Sequence, residues 1–592
     1  MPVNLLRNLP SVNELLESPP LRNLAARLSH SVVVTRARGV LEELRSELKT
    51  SASEASLPNV ADLAERIARR ILEGEQPSLR SVVNATGILL HTGLGRAPLA
   101  DEAIDALVSV ARGYASVELD LASGERSQRM AAVEGLLKEL TGAEAALVIN
   151  NNAGATLSGS NDAFRINANA ASGSVTVNNS GTILSTGGQA LDFDAIAAGT
   201  ATVNINNNAT GLLNATAADG IRPGEAATVT NFGNICVGTF GGGACSGGVV
   251  NESHDAVDWQ GHGGTLINKT GGVISGQRHG TTSDVDVNVT NETGALILGR
   301  NGSGVGSDGD GTVVNHGTIR GAYDGVAING DGDGVDIDFI ANITNFGIIE
   351  GTGAAGVDSG GLPNGGEGVA VGGGVVDNKA GARITGASHG MLVDDGSAGP
   401  AAAATAVTNA GRIEGLDGFA IRLVGGFADT IDNFGILAGT LGAIDMGGGD
   451  DLLKLNTGSL IEGSADGGDG FDTIDVLNDV TLGDVVNFEK LVLEIGAVLD
   501  LASVIEIDEL AGAVIGGGVI ANIVGNGFNV IYDGRDTANA YLGGLSYRLV
   551  DGGRLISAQA LPEPMTAALL APALLALAAG SRRRRAGSAA QA

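Results

Sequence analysis

Thr312-Val-Val-Asn-His-Gly-Thr-Ile319 and, thirty residues on, Asn342-Ile-Thr-Asn-Phe-Gly-Ile-Ile349 decide how this chain folds. In each, a short β-type run ends on Asn, a Gly follows two positions later, and a second β-type run begins. The unit recurs as Asn179-Ser-Gly-Thr-Ile183, Asn231-Phe-Gly-Asn-Ile235, Asn268-Lys-Thr-Gly-Gly-Val-Ile274 and Asn291-Glu-Thr-Gly294. It returns as Asn378-Lys-Ala-Gly-Ala-Arg-Ile384, Asn409-Ala-Gly-Arg-Ile413 and Asn433-Phe-Gly-Ile-Leu437. From Asn268 onward the asparagines lie 23 to 33 residues apart, the period of a repeat array. Asn and Gly accept positive φ at corners, and stacked Asn side chains can bond from rung to rung. Alternate Val, Ile and Leu then fill a narrow interior. The expected fold over 158–500 is a long β-solenoid, right-handed and β-helix-like, followed by a β-rich segment over 501–560.

Composition supports this and exposes a break. The 592 residues are 43% apolar, 17% charged and 3% aromatic, with 94 Gly. The apolar content excludes a wholly disordered chain, and Gly lacks the strict three-residue period of collagen. A core a few side chains wide accounts for the few aromatics. A net charge of −32 argues against a protein built mainly to hold nucleic acid by its phosphates. Residues 1–157 hold 10 Gly and a net charge of −3, while 158–592 hold 84 Gly and −29. The two parts obey different rules.

Residues 4–75 read as helices. Leu15, Leu16, Leu21, Leu24, Ala25 and Leu28 form a patchy stripe broken at Pro19-Pro20; Val40, Leu41, Leu44 and Leu48 continue it. Leu63, Ile67 and Ile71 make a third stripe, with Asp62 and Glu65 early and Arg69-Arg70 late, as the helix dipole favours. From about residue 80 the texture turns to α/β: a strand-like Ser81–Leu90, a Gly-punctuated His91–Arg96 loop, and helices over Asp101–Ala111 and Val133–Leu140. A buried strand over Ala145–Val148 leads into the small-residue turn Asn150-Asn-Asn-Ala-Gly-Ala155, whose backbone N–H groups could face a phosphate.

Asn84-Ala-Thr-Gly87, His91-Thr-Gly-Leu-Gly-Arg-Ala-Pro-Leu99, Gly124-Glu-Arg126 and Thr141-Gly-Ala-Glu-Ala-Ala-Leu-Val-Ile-Asn-Asn-Asn-Ala-Gly-Ala155 occur in register. Together they closely resemble the N-terminal part of bacterial selenocysteine synthase, L-seryl-tRNA(Sec) selenium transferase. The resemblance implies a helical N-terminal domain of tRNA-binding type over 1–78 and a truncated fold-type-I pyridoxal-phosphate fragment over 79–157. It implies the conversion of seryl-tRNA(Sec) into selenocysteinyl-tRNA(Sec) with selenophosphate. By the same resemblance Arg96 matches an arginine at the anionic-substrate site, and Asn152, Ala153, Gly154 and Ala155 match the turn near the cofactor phosphate. Ser127-Gln128-Arg129 follows Gly-Glu-Arg where the family usually has Gly-Ser-Arg.

Pyridoxal-phosphate chemistry needs a lysine to hold the cofactor as a Schiff base. The six lysines are Lys49, Lys138, Lys269, Lys379, Lys454 and Lys490, and none lies in a sequence like the family's Gly-rich lysine loop. Lys269 and Lys379 sit in repeat turns. The expectation is a catalytically incomplete front, with no catalytic residue assigned.

Gly467-Gly-Asp-Gly-Phe-Asp-Thr-Ile-Asp475 fits a Gly-Gly-x-Gly-x-Asp-x-apolar-x calcium repeat, and Gly447-Gly-Gly-Asp-Asp-Leu-Leu453 fits it in part. Asp469 and Asp472 are therefore candidate calcium ligands, with ordinary acidic turns as the alternative. Cys236 and Cys245 enclose a Gly-rich loop; a disulfide would suit an exported chain and two thiols a cytosolic one. The histidines, His91, His254, His262 and His279 among them, show no helix-ligand spacing.

Leu561-Pro-Glu-Pro564, the apolar run Met565–Gly580 and Arg582-Arg-Arg-Arg585 follow in order. This order resembles a PEP-CTERM sorting tail of exported bacterial surface proteins, over 561–592, with an apolar helix meeting the membrane at 565–580. The repeats before it resemble autotransporter or adhesin passengers. Met1–Pro10 has neither a basic start nor a long apolar stretch, which points to a cytoplasmic beginning. The whole reads as a mixed composite joined near residue 156. Its two functional readings are a selenium-transferase front and a cell-surface β-helix. The implied partners are tRNA(Sec), further copies of the chain, and a membrane.

Overall fold

The computed structural model describes residues 9–50, 59–74, 99–116, 124 and 146–558, apart from 168–172, 198–200, 248–253, 324, 326–329, 358–362 and 397–398. Ser81–Leu90, the His91–Arg96 loop with Arg96, Val133–Leu140 and the whole tail from residue 561, with its apolar run at 565–580, lie outside the described residues. The chain divides into two units, Met1–Gln128 and Arg129–Ala592.

The first unit is helical. Helices α1 (Val12–Leu16), α2 (Pro19–Arg27), α3 (His30–Thr50) and α4 (Val60–Gly74) share one apolar cluster. The break at Pro19-Pro20 is a helix start: both prolines sit in the first turn of α2, where the missing N–H would have no intrahelical partner. The stripe read from α4 is buried as expected, with Leu63, Ile67 and Ile71 joined by Ala64 and Ala68. Helix α5 (Asp101–Ala111) matches its expected span but buries none of its residues.

The second unit is a stack of parallel coils. A first face runs through fifteen strands from Ala146–Asn151 to Glu509–Ala511, a second through twelve from Thr156–Gly159, and a third through thirteen from Phe164–Arg165. Each coil contributes one strand to each face until about residue 466. An eight-stranded sheet from Val480–Leu482 to Arg554–Ala558 closes the described chain.

Register explains the recurring Asn. Asn151, Asn179, Asn207 and Asn231 lie opposite one another on consecutive coils. The column continues through Asn268, Asn291, Asn315, Asn345, Asn378, Asn409 and Asn433. Each Nδ2 donates to the Oδ1 of the next asparagine, as in Asn315 to Asn345 at 2.8 Å and Asn378 to Asn409 at 2.8 Å. The same Nδ2 reaches a carbonyl of the next coil's second-face strand, Ile348 O at 2.9 Å for Asn315. An amide suits this position because it carries both donor and acceptor, so a buried column of amides satisfies itself.

The interior is three aliphatic columns. Val177, Ile205 and Val229 represent the first face, Ile183, Leu213 and Ile235 the second, and Leu191, Ile221 and Val257 the third; all are buried. Removing any one of these side chains from water contributes about 1.5–3 kcal/mol.

The coils begin at Ala146, ahead of the boundary expected at 158. Leu147, Ile149 and Asn151 repeat the alternation of Val175, Val177 and Asn179 and pair with them in register. Val148, expected in a buried strand, is half exposed, because it points outward from the first coil. Among the described residues no helix is long and apolar enough to cross a membrane.

Candidate functional site

In its early coils the third face carries charge, where the first face of the same coils carries mainly Asn and Thr. Its outward column runs Arg165, Asp192, Arg222, Asp258, Thr282, Gly306 and Asp336 on consecutive coils. The first four alternate in sign and pair, Arg165 Nε to Asp192 at 3.1 Å and Arg222 Nε to Asp258 at 3.1 Å. Thr282 and Gly306 then interrupt the row with little or no side chain. A cavity of about 480 Å³ opens over them, with Arg222 and Asp258 on one side and Asp331 and Asp336 on the other.

The corner before the third face supplies the rest of the wall. Asp219 accepts from Arg222 Nη2 at 2.7 Å and from the Asp255 N–H at 3.0 Å. Burial alone would raise it, but hydrogen bonds from His254 and Asp255 and the Arg222 charge hold its carboxyl well below the usual range. Asp255 is pushed up to about 7 by burial, against a 2.8 Å bond from the His279 N–H. Asp258 rises to about 6 through burial and the neighbouring Asp219, despite Arg222. His279 falls to about 3 through burial and Arg278, and its Nδ1 accepts the Ser303 N–H at 2.8 Å. The cavity therefore sets an ionised Asp219 close to carboxyls that hold protons up to near-neutral pH. That is a constellation able to accept and donate hydrogen bonds to a polar, donor-rich ligand.

Beside it, Asp331, Asp333 and Glu367 bring carboxylate oxygens within 4.8 Å of one another. Glu367 donates its N–H to Asp333 Oδ1 at 2.6 Å. Burial, then mutual repulsion, pushes Asp333 well up.

A second acidic column stands at the corner before the first-face strands of the later coils. The Thr405 N–H donates to Asp429 Oδ1 at 2.6 Å, Asp429 N–H to Asp451 Oδ1 at 2.7 Å, and Asp451 N–H to Asp472 Oδ1 at 2.8 Å. Asp472 N–H donates to Glu489 at 2.7 Å. Asp451 and Asp472 are 2% and 0% exposed. Of the two aspartates expected to bind calcium, Asp472 lies in this column. Asp469 is exposed and uses its backbone instead, its O accepting the Gly449 N–H at 2.8 Å. The glycines between are required by close stacking: a Cβ on Gly470, at φ +153°, would stand 1.6 Å from Gly449 O.

The turn matched to a cofactor phosphate is a solenoid corner. Ala155 N–H is bonded to Asn152 O at 3.0 Å, Ala155 O accepts the Thr182 N–H at 2.8 Å, and Asn151 Nδ2 donates to Asn179 at 2.8 Å. Asn152, Ala153, Gly154 and Ala155 are exposed around it. The side chains of Lys49 and Lys138 lie outside the described residues. Lys269 is paired with Glu292 at 2.7 Å, Lys379 with Asp377, and Lys490 with Glu509 at 3.3 Å. Lys454 stands between Asp432 and Asp475 on the first face. The first of these four belongs to the fifth coil, roughly 19 Å from the corner at ~4.8 Å per coil. The described residues do not fit pyridoxal phosphate at this turn.

Sequence reading missed the third-face cavity. Arg222, Asp219, Asp255, Asp258 and His279 are scattered over sixty positions, and only the coil register collects them. The one signal was the loss of a long side chain at Thr282 and Gly306, which requires the register to be seen. Cys236 and Cys245 form a disulfide, with Cα atoms 5.8 Å apart, at the base of a small hairpin, Thr239–Gly241 with Ala244–Ser246.

Comparison with known proteins bears on the first part of the chain. The family profile for L-seryl-tRNA selenium transferase matches residues 82–189, which reaches into the second coil, and that for the selenocysteine synthase N terminal matches 6–45. L-seryl-tRNA(Sec) selenium transferase of Moorella thermoacetica is 47% identical over 154 residues, 26% of this chain and 32% of the relative. Those of Geotalea uraniireducens and Hyphomonas neptunium are 43% and 42% identical over 155 and 156 residues, again 26% of this chain and 34% of each relative. The chain thus spans about a third of the length of the curated relatives it matches, and its similarity to selenium transferases lies in its N-terminal region.

Proposed function

We propose that this chain works as a cell-envelope β-solenoid that presents its polar third face to a ligand, and that its first quarter does not complete selenium transfer. The observation that carries the reading is the commitment of Asn150–Ala155 to the first coil: the segment similar to a cofactor-binding enzyme spends its backbone and Asn151 on the ladder. The Cys236–Cys245 bridge suits an oxidising compartment. The apolar run 565–580, followed by four arginines, supports a membrane-associated end and a PEP-CTERM-like sorting role. Adhesin-like use is supported by an array that carries a polar hollow on its third face.

The test is reconstitution of the purified full chain with pyridoxal phosphate. The expected result is no aldimine absorbance and no borohydride-trapped adduct; a stable, stoichiometric adduct on any lysine would refute the reading. A second reading is favoured by the match over residues 6–45: the helical unit retains contact with tRNA(Sec). Helices α2 to α4 carry Arg22, Arg27, Arg36, Arg38, Arg45, Arg66, Arg69 and Arg70, a basic set that could meet phosphates. A gel shift with tRNA(Sec) against an elongator tRNA decides it, since equal or absent binding removes that role.

A further inference from the structure

The two side-chain ladders solve the same problem with different chemistry, and one of them leaves a remainder. In the Asn column each side chain donates to the next, so a buried amide finds a partner on both its atoms. An ionised Asp has no N–H to give. In the acidic column each carboxylate uses Oδ1 to accept the backbone N–H of the preceding coil, and nothing in the ladder can donate to Oδ2. On Asp451 and Asp472 that second oxygen is buried and has no hydrogen-bond partner. Two bare, ionised carboxylate oxygens on adjacent coils cost several kcal/mol unless a proton or a cation neutralises them.

We propose that Asp451 Oδ2 and Asp472 Oδ2 hold a calcium ion between consecutive coils. The two aspartates have the same hydrogen-bonding arrangement, so their equivalent oxygens repeat at the strand spacing of ~4.8 Å. An ion midway between them stands ~2.4 Å from each, inside the 2.3–2.6 Å range of calcium and beyond the 2.0–2.1 Å that magnesium demands. The column itself supplies hard carboxylate oxygens. Asp429 and Glu489 extend the column on either side, and no thiol or imidazole enters the set. The Gly447–Gly449 and Gly467–Gly470 turns stack closely enough for the Asp469 O to bond Gly449 N–H at 2.8 Å, which holds the two coils at fixed separation. The site therefore differs from the one read in sequence: Asp451 replaces exposed Asp469 as the partner of Asp472. This inference is independent of the envelope reading and survives its failure, since it concerns the later coils alone.

The test uses the metal-free full chain titrated with CaCl2 and, separately, MgCl2, with binding followed calorimetrically and by thermal melting. The expected result is calcium binding and a melting point several degrees higher in ~1 mM calcium, a range typical of extracellular sites, with magnesium at least tenfold weaker. The double variant D451N/D472N should fold, because each new amide can donate along the column as the Asn ladder does. It should melt no lower than the parent in EDTA and lose the calcium response. Absence of any calcium-dependent shift in the parent overturns the proposal, as does an equal response to magnesium. A response that persists in the double variant also overturns it. D333N is the control: loss of the response there and not in D451N/D472N would place the ion at Asp331, Asp333 and Glu367 instead.

Discussion

Replacing Asn315 by Ala removes one rung of the buried Asn ladder, and the structure sets the size of the penalty. Asn315 Nδ2 donates to Asn345 Oδ1 at 2.8 Å and Ile348 O at 2.9 Å, with a longer contact to Gly317 O at 3.3 Å. Its Oδ1 accepts from Asn291 Nδ2 at 2.9 Å and Gly317 N–H at 3.1 Å. Each net bond is worth about 1 kcal/mol, and a buried group left bare costs about 1–3 kcal/mol. Asn291 Nδ2 keeps Thr318 O at 3.1 Å, and Asn345 Oδ1 keeps Gly347 N–H at 3.1 Å, so neither neighbour is wholly stranded. The expected loss is about 2–4 kcal/mol. Because each coil contacts only its neighbours, the damage should be local. Hydrogen exchange should accelerate over the strands of 287–351 while 174–237 stays protected. Asn178→Ala is the solvent-side control: its Nδ2 bonds exposed Asn150 at 2.9 Å and its Oδ1 accepts from Asn206 at 3.0 Å, where water can replace both, so the cost should be under ~1 kcal/mol. A loss below ~1 kcal/mol at Asn315, or equal losses at the two positions, would refute the ladder as a source of stability.

Further outcomes follow from the same contacts. Ile319→Ala, in the fully buried second-face column, should cost about 2–5 kcal/mol by urea denaturation, while Ile319→Val should cost about 0.5–1.5. Reducing Cys236–Cys245, nine residues apart, should loosen Thr239–Ser246 in hydrogen exchange; loop entropy sets an upper bound of about 3 kcal/mol, and thiol titration confirms the opening. Asp255, raised to about 7 by burial from roughly 3.9 in the unfolded chain, binds more protons when folded, so its contribution is full below about pH 4 and is lost as pH rises through 7. Melting of the parent should therefore fall between about pH 4 and 7, and Asp255→Asn should flatten that slope.

Much of the architecture was legible because a solenoid writes its period into the chain. Asn315 and Asn345 declare themselves through spacing alone, and the Val and Ile between them alternate with the pleat. The start of the stack was read late. Ala146–Asn151 reads both as part of a selenium-transferase-like motif and as a first coil, and local pattern does not separate the two. Pairing with Ser174–Asn179 does. Asp469 and Asp472 look equally acidic in sequence and differ in burial, which only the stacking of the coils decides.

Sequence alone determined the change of character near residue 156, the repeat, the Asn ladder's positions and the likeness of the first quarter to selenium transferases. All of these depend on residue type and spacing along one dimension. Tertiary structure decided which charges meet. The third-face cavity gathers Asp219, Arg222, Asp258 and Asp336 from three different coils, and the acidic column gathers Asp429, Asp451 and Asp472 from three. Coil lengths of 17 to 37 residues make those neighbours unpredictable by counting, because insertions at the loops shift sequence distance while the ~4.8 Å rise between strands stays constant.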